Sequence, residues 1–248
     1  MRKTTTRQLS LAVFAAFVAA APLVMAAQNR ASPSGSAEYI RVGKMLFFRG
    51  DDGVTGRELW KTDGSRGGTV LVKDIHPGPA GSVPANFVLL DGLLYFTADD
   101  GSSGRELWRS DGTAAGTVRV KDIRPGGAGS DPAFLTRVGK QIFFRADDGK
   151  HGRELWRSDG STKGTVLVRD INPGRGSASP VLVKAADDHL RFSADDGDRV
   201  RRLWISDGTA AGTRPLDHVP VAGKEETDPS RPSIRKLSHA ELADKPRL

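Results

Sequence analysis

The chain has 248 residues, of which 38% are apolar, 27% charged and 6% aromatic, with 29 Gly, 14 Pro and no Cys. That is enough apolar residue for a core, which argues against a wholly disordered chain, and the lack of Cys excludes disulfide scaffolds, thiolate zinc sites, cysteine nucleophiles and a lipid-modified lipoprotein N-terminus. The formal charge of +7 invites a nucleic-acid reading, which depends on where the charges sit.

The first 26 residues carry part of that charge. Arg2, Lys3 and Arg7 lie in a Thr-rich segment, Leu11 to Val24 runs almost without a polar side chain, and the small residues Ala26 and Ala27 follow. This is the layout of a secretory signal peptide cleaved after Val24-Met25-Ala26. Its apolar run is shorter than the roughly twenty residues that cross a bilayer as a helix. Residues 1–26 are therefore read as a signal peptide, 27–37 as a small, polar linker, and the mature chain as exported and not integral to a membrane. No later segment concentrates basic charge enough to predict a nucleic-acid partner.

An internal repeat organises the chain beyond the linker. Trp60, Trp108, Trp156 and Trp204 stand 48 residues apart, as do Phe48, Phe96, Phe144 and Phe192, and Asp63, Asp111, Asp159 and Asp207. In register, the first three units read GRELWKTDGSRGGTVLVKDI from Gly56, GRELWRSDGTAAGTVRVKDI from Gly104 and GRELWRSDGSTKGTVLVRDI from Gly152. Each unit holds four short runs of strand character. In the second they are Phe87 to Leu90, Leu93 to Ala98, Arg105 to Arg109 and Thr117 to Ile123, joined by the turn sequences Asp91-Gly92, Asp99-Asp100-Gly101 and Asp111-Gly112-Thr113. No useful helical period is present between Tyr39 and Val219.

The pattern predicts an all-β, propeller-like array of four four-stranded antiparallel blades over residues 38–220. In the second strand of each unit Leu46/Phe48, Leu94/Phe96, Ile142/Phe144 and Leu190/Phe192 mark one face, while Phe47, Tyr95 and Phe143 mark the other in the first three units. Apolar residues on both faces indicate a sheet covered on both sides, with the repeated Trp and Phe packing between blades. A closed four-blade ring, an open blade stack, or two chains pairing as a homodimer into a larger ring all satisfy this pattern.

Glu58-Leu59-Trp60 with Asp63-Gly64-Ser65, Glu106-Leu107-Trp108 with Asp111-Gly112-Thr113, and Glu154-Leu155-Trp156 with Asp159-Gly160-Ser161 resemble the signature of the ELWxxDGT repeat family, exported bacterial proteins also called hyalin-like. The resemblance implies an extracytoplasmic, propeller-like repeat protein, and no particular reaction.

The fourth unit departs from the signature. Val200 replaces Gly, Arg202 replaces Glu, Arg191 replaces the second-face aromatic, and Thr213-Arg214-Pro215-Leu216 replaces the Val-rich strand. Proline and arginine place this strand at an edge, as in the capping unit of an array. Residues 221–248 lose the repeat and read as a flexible charged tail, in which Lys236 to Ala243 could form a short helix capped by Ser238.

Four Asp-Asp-Gly turns are the strongest chemical feature. Asp52, Asp100, Asp148 and Asp196 are candidate calcium ligands, with the Asp63 series as a second carboxylate source, although Asp-Gly turns also form for backbone reasons alone. Arg57/Glu58, Arg105/Glu106 and Arg153/Glu154 are read either as inter-blade ion pairs or as a solvated strand edge. His76, His151, His189, His218 and His239 occupy unrelated positions with no metal-ligand spacing. A pocket gathering Lys150, His151 and Arg199 would favour an enzyme. Arg199, Arg201 and Arg202 could contact an anionic glycan or form an exposed capping edge. Three near-identical units show one surface three times, which suits multivalent binding better than a single asymmetric active site. The expectation is a non-catalytic exported scaffold, without a cofactor, that binds an extracellular or cell-envelope protein or polysaccharide. The alternatives are a calcium-binding envelope or matrix protein and, third, a glycan-active or esterase-like enzyme.

Overall fold

A computed structural model describes residues 39–186, 188–198 and 200–216. The signal peptide, linker and tail expected at 1–26, 27–37 and 221–248, together with Arg199, His218 and His239, lie outside the described residues. Sixteen strands form four four-stranded antiparallel sheets, with no helix among the described residues. Blade 1 comprises β1 (Tyr39–Val42), β2 (Met45–Asp51), β3 (Arg57–Thr62) and β4 (Val70–Lys73). Blade 2 comprises β5 (Ala85–Leu90), β6 (Leu93–Asp99), β7 (Arg105–Ser110) and β8 (Val118–Lys121). Blade 3 comprises β9 (Ala133–Val138), β10 (Gln141–Asp147), β11 (Arg153–Ser158) and β12 (Val166–Arg169), and blade 4 comprises β13 (Val181–Ala186), β14 (His189–Asp195), β15 (Arg201–Ser206) and β16 (Arg214–Pro215). Within every sheet the strands are ordered as in the sequence.

Turn chemistry sets the register. Asp91 and Gly92 both take positive φ, 49° and 81°, the conformation of a two-residue hairpin turn that matches strand twist. The register then places Phe48 opposite Trp60, Phe96 opposite Trp108, Phe144 opposite Trp156 and Phe192 opposite Trp204, so the two repeated aromatics are cross-strand neighbours. The fourth strand of the second unit is shorter than the sequence suggests, because Asp122 and Ile123 have already turned into the connection to blade 3.

The core is divided into three inter-blade layers, each built from the front face of one blade and the back face of the next. Phe47, Leu59, Val72 and Ile75 of blade 1 meet Phe87, Leu94, Phe96, Ala98 and Trp108 of blade 2. Tyr95, Leu107, Val120 and Ile123 of blade 2 meet Ile142, Phe144, Ala146 and Trp156 of blade 3. Phe143, Leu155, Val168 and Ile171 of blade 3 meet Leu190, Phe192, Ala194 and Trp204 of blade 4. A cation locks each layer from the front: Lys73 Nζ donates to the Thr117 carbonyl at 2.8 Å, Lys121 Nζ to Thr165 at 2.8 Å, and Arg169 Nη1 to Thr213 at 2.7 Å. Lys121 and Arg169 also lie over the rings of Trp156 and Trp204, each 6.0 Å from the centroid. The indole Nε1 of all four Trp residues is buried without a hydrogen-bond partner, and the rings of Trp108, Trp156 and Trp204 serve the layers as apolar filling.

First strands run beside one another from blade to blade, β1 by β5, β5 by β9 and β9 by β13, but the four sheets do not close into a ring. The two ends show it in burial. Leu59, Leu107 and Leu155 are fully buried whereas their blade 4 counterpart Leu203 is 44% exposed, and Arg191 is exposed where blades 1 to 3 place an aromatic. At the other end Trp60 and Phe48 are half-buried, while Phe96, Phe144 and Phe192 are fully enclosed. Among the described residues no blade covers this face of blade 4, which accommodates Arg191 there.

Candidate functional site

The connection between two blades determines where a site forms. Gly56, Gly104 and Gly152 hold φ of 67°, 66° and 67°, and the connecting backbone passes directly against them. A Cβ on Gly104 would stand 2.5 Å from the Gly129 nitrogen, so only glycine fits. Beside each glycine a buried glutamate holds the connection in place. Glu58 accepts from the backbone N–H of Ile75, His76 and Ser82 at 3.2, 3.1 and 2.8 Å and from Ser82 Oγ at 2.5 Å. Glu106 repeats this with Ile123, Arg124 and Ser130. Glu154 keeps the N–H donors of Ile171, Asn172 and Ala178 but has no hydroxyl, because Ala178 stands where Ser82 and Ser130 stand. Burial raises the carboxyl of Glu106, against the donors from Ser130, Arg124 and Ile123, and it pushes Glu154 up to about 7.

Both sequence readings of these glutamates are therefore corrected. Glu58, Glu106 and Glu154 form no ion pairs with these arginines, because their carboxylates are fully buried rather than solvated and accept from the backbone N–H groups of the connections. Arg105 turns away to the carbonyls of Val83 and Thr97 at 2.9 and 3.2 Å. In the fourth unit Val200 and Arg202 stand in place of Gly and Glu. Arg202 instead pairs with Asp196 and Asp198, each at 2.9 Å.

The Asp-Asp-Gly carboxylates of the first three units serve their own turns, whereas Asp196 pairs through Oδ2 with Arg202 and keeps Oδ1 buried without a hydrogen-bond partner. Asp52 Oδ1 accepts from the N–H of Val54 and Thr55 at 2.9 and 2.8 Å, and Asp100 Oδ1 from Ser102 and Ser103 at 2.9 and 2.7 Å. Asp148 Oδ1 accepts from Lys150 and His151, both at 2.9 Å, and Asp148 Oδ2 lies 2.8 Å from His151 Nδ1. Burial alone would raise Asp100, yet the Ser102 and Ser103 donors hold it at about 2. The Asp63 series cannot join the Asp52 series: six-residue β3 separates the two turns, roughly 20 Å at ~3.3 Å per residue. Among the described residues no group of three or more His, Asp or Glu side chains converges as a metal site.

A cleft of about 350 Å³ lies where the connection from blade 2 to blade 3 crosses the ends of β6, β7, β10 and β11. Its backbone wall is Gly127 to Ser130, and its charged lining is Arg105, Arg124 and Arg153 with Asp99, Asp131 and Asp147. Arg124 Nη1 lies 3.5 Å from Asp147 Oδ2, and Arg153 Nη2 3.7 Å from Asp131 Oδ2, both beyond hydrogen-bonding distance. The repeat makes this cleft singular: the other connections carry His76 and Asn172 in place of Arg124, and Val83 and Ser179 in place of Asp131. Lys150 and His151 do not line it. Arg145 stacks 4.9 Å over the Phe134 ring with Nε buried and without a hydrogen-bond partner. Burial depresses its pKa, as do the neighbouring charges of Arg153 and Arg201, opposed by Asp131. Sequence reasoning missed the cleft because it weighed what the units share; the signal was the pair of charged residues found in the second connection alone.

No family model matches the chain, and no curated protein does. Among solved structures, a prolyl endopeptidase is similar with a TM-score of 0.45 and 15% identity, over 70% of this chain and 24% of that one. The apo isopeptidase AtxE2 gives 0.41 and 16%, over 82% and 28%, and the catalytic domain of the Coprinopsis cinerea GH62 α-L-arabinofuranosidase gives 0.33 and 13%, over 76% and 70%. The chain spans about a quarter of the length of the two peptidases. Likeness of this degree carries no argument about activity, and the chain is described by its own geometry: four blades, three glutamate-held connections and one charged cleft.

Proposed function

We propose that the chain is a non-catalytic binding scaffold that acts outside the cytoplasm, with an extracellular or cell-envelope protein or polysaccharide as its partner. The observation that carries this is the use of its acid side chains: Glu58, Glu106 and Glu154, Asp52, Asp100 and Asp148, and the Asp63 series hold backbone turns and connections of the fold, and the His151 ring pairs with Asp148. The N-terminal sequence supports export, and a chain with 38% apolar residues and no Cys keeps its blades together by packing. The test is to express the full chain with its own N-terminus, follow its compartment, and assay the purified protein against envelope fractions and a panel of ester, peptide and glycoside substrates. Retention of an envelope component without turnover is expected. Reproducible turnover that is lost on substituting Arg124 or Arg153 would overturn the reading.

A further inference from the structure

We propose that Arg145, with Arg153 beside it, forms a site for a phosphate monoester on the face of blade 3 that meets blade 4; the site goes beyond the scaffold reading and does not depend on it. The repeat shows how it arises. In blade 2, Arg105 reaches across its own sheet, donating to the Thr97 carbonyl and Oγ1, both at 3.2 Å, and to the Val83 carbonyl at 2.9 Å. In blade 4, Arg201 makes the same reach to the carbonyls of Ser179 and Ser193 at 2.7 and 3.1 Å. Blade 3 carries Arg145 where Thr97 and Ser193 stand, so a second cation occupies the place of the acceptor. The register sets Arg145 opposite Leu155 and Asp147 opposite Arg153, which makes the two arginines diagonal neighbours on one face, roughly 7–8 Å apart along the backbone. Leu155 packs against blade 4, which fixes that face. Arg153 has moved accordingly: its guanidinium lies 3.7 Å from Asp131 Oδ2, with the side chain 51% exposed.

The charge left unmatched is that of Arg145. The Phe134 ring beneath its guanidinium fixes the plane of the group, and among the described residues no carboxylate pairs with it and no hydrogen bond satisfies it. The acids on this face are committed elsewhere. Asp147 accepts from the Gly149 N–H at 2.7 Å through Oδ1 and faces Arg124 at 3.5 Å through Oδ2, while Asp131 stands by Arg153. Arg201 lies within electrostatic reach as a third cation, so around Arg145 three arginines meet one carboxylate, Asp131. Half-burial strips water from Arg145 with nothing in its place, and an incoming anion restores what burial removed. The surplus of positive charge matches a phosphate monoester, which carries close to two negative charges at neutral pH. Shape selects it as well. A carboxylate presents two oxygens in one plane, which a single guanidinium fork uses up, whereas a tetrahedral phosphate offers separate oxygens to two guanidinium groups.

The experiment titrates the full chain, at constant ionic strength, with inorganic phosphate, glucose 6-phosphate, acetate, and phosphatidylcholine vesicles carrying phosphatidic acid. It compares the parent with Arg145→Thr and with Arg66→Gln. Threonine is the residue blade 2 has at this place, as Thr97, so the fold accommodates it and Arg153 regains an acceptor. Arg66→Gln removes one charge at an exposed turn. Phosphate binding is expected to weaken about tenfold or more in Arg145→Thr and to stay within about twofold in Arg66→Gln, with acetate bound at least about tenfold more weakly than phosphate by the parent. Phosphate should also raise the thermal midpoint of the parent more than that of Arg145→Thr. No phosphate binding by the parent, equal weakening in both variants, or acetate bound as tightly as phosphate would overturn the proposal. Affinity for glucose 6-phosphate and not for the vesicles assigns the site to a soluble phosphate ester, and the converse to a lipid headgroup. Failure of the site leaves the scaffold reading standing, because that reading rests on Glu and Asp side chains elsewhere; turnover of bound glucose 6-phosphate overturns the scaffold reading and upholds the site.

Discussion

Restoring the hydroxyl that blade 3 lacks should stabilise the protein in a pH-dependent way. Glu154 is held at about 7 in the fold against an ordinary value of 4.5. A carboxyl whose pKa rises on folding contributes most below its unfolded value, and that contribution disappears as pH climbs through the folded value. On these figures the fold is weaker by about 3 kcal/mol at pH 8 than at pH 4 from this group alone. Ala178→Ser adds the donor that Ser82 and Ser130 give Glu58 and Glu106 at 2.5 and 2.6 Å, in a site the fold builds twice already. A hydrogen bond to an ionised group contributes about 1.5–3 kcal/mol, and one to a neutral group about 1 kcal/mol. The variant should therefore gain about 2 kcal/mol at pH 8 and about half that at pH 5. Urea unfolding at the two pH values measures it directly. An equal gain at both values, or a loss at pH 8, would refute the assignment of Glu154 as the titrating latch.

Three other outcomes are expected from the geometry. Leu155→Ala should cost about 2–5 kcal/mol and Leu203→Ala under ~1 kcal/mol, because Leu155 is fully buried and Leu203 is 44% exposed; similar losses in denaturant melts would mean that blade 4 is covered and the array closed or paired. Gly104→Ala should prevent folding or cost well over ~2 kcal/mol, whereas Gly92→Ala, with nothing within 4 Å of its Cβ, should cost only about 1 kcal/mol for its φ of 81°. Since the Asp52, Asp100 and Asp148 carboxylates already accept N–H groups of their own turns, thermal melts should coincide with calcium and with chelator; a midpoint raised by calcium would revive a cation site.

The fold was legible because each unit states it anew. Hairpin turns, two-faced strands and the Phe and Trp series recur at a fixed interval, so errors in one unit are corrected by the next. The role of Glu58 was not legible in its own unit, where Arg57 beside it suggests a pair. It was encoded in the fourth unit, where Gly and Glu vanish together, a joint loss that signals a shared task. The separation of the Asp52 and Asp63 turns could have been counted from the strand between them. Openness was half-visible in Arg191, which a covering blade would not tolerate, but the burial of Leu203 depends on what stands opposite and no local pattern records that. The cleft stayed hidden because a consensus suppresses the singular residues, Arg124 and Asp131, that make it.

The three inter-blade layers share one orientation, front face against back face. Every internal junction is therefore interchangeable with the others, while the two terminal faces are not. An in-frame gain or loss of one 48-residue unit between Trp60 and Trp204 rebuilds a junction of the same composition. Such a gene can count its blades up or down without redesigning any contact, while the residues of each connection vary independently of the layers.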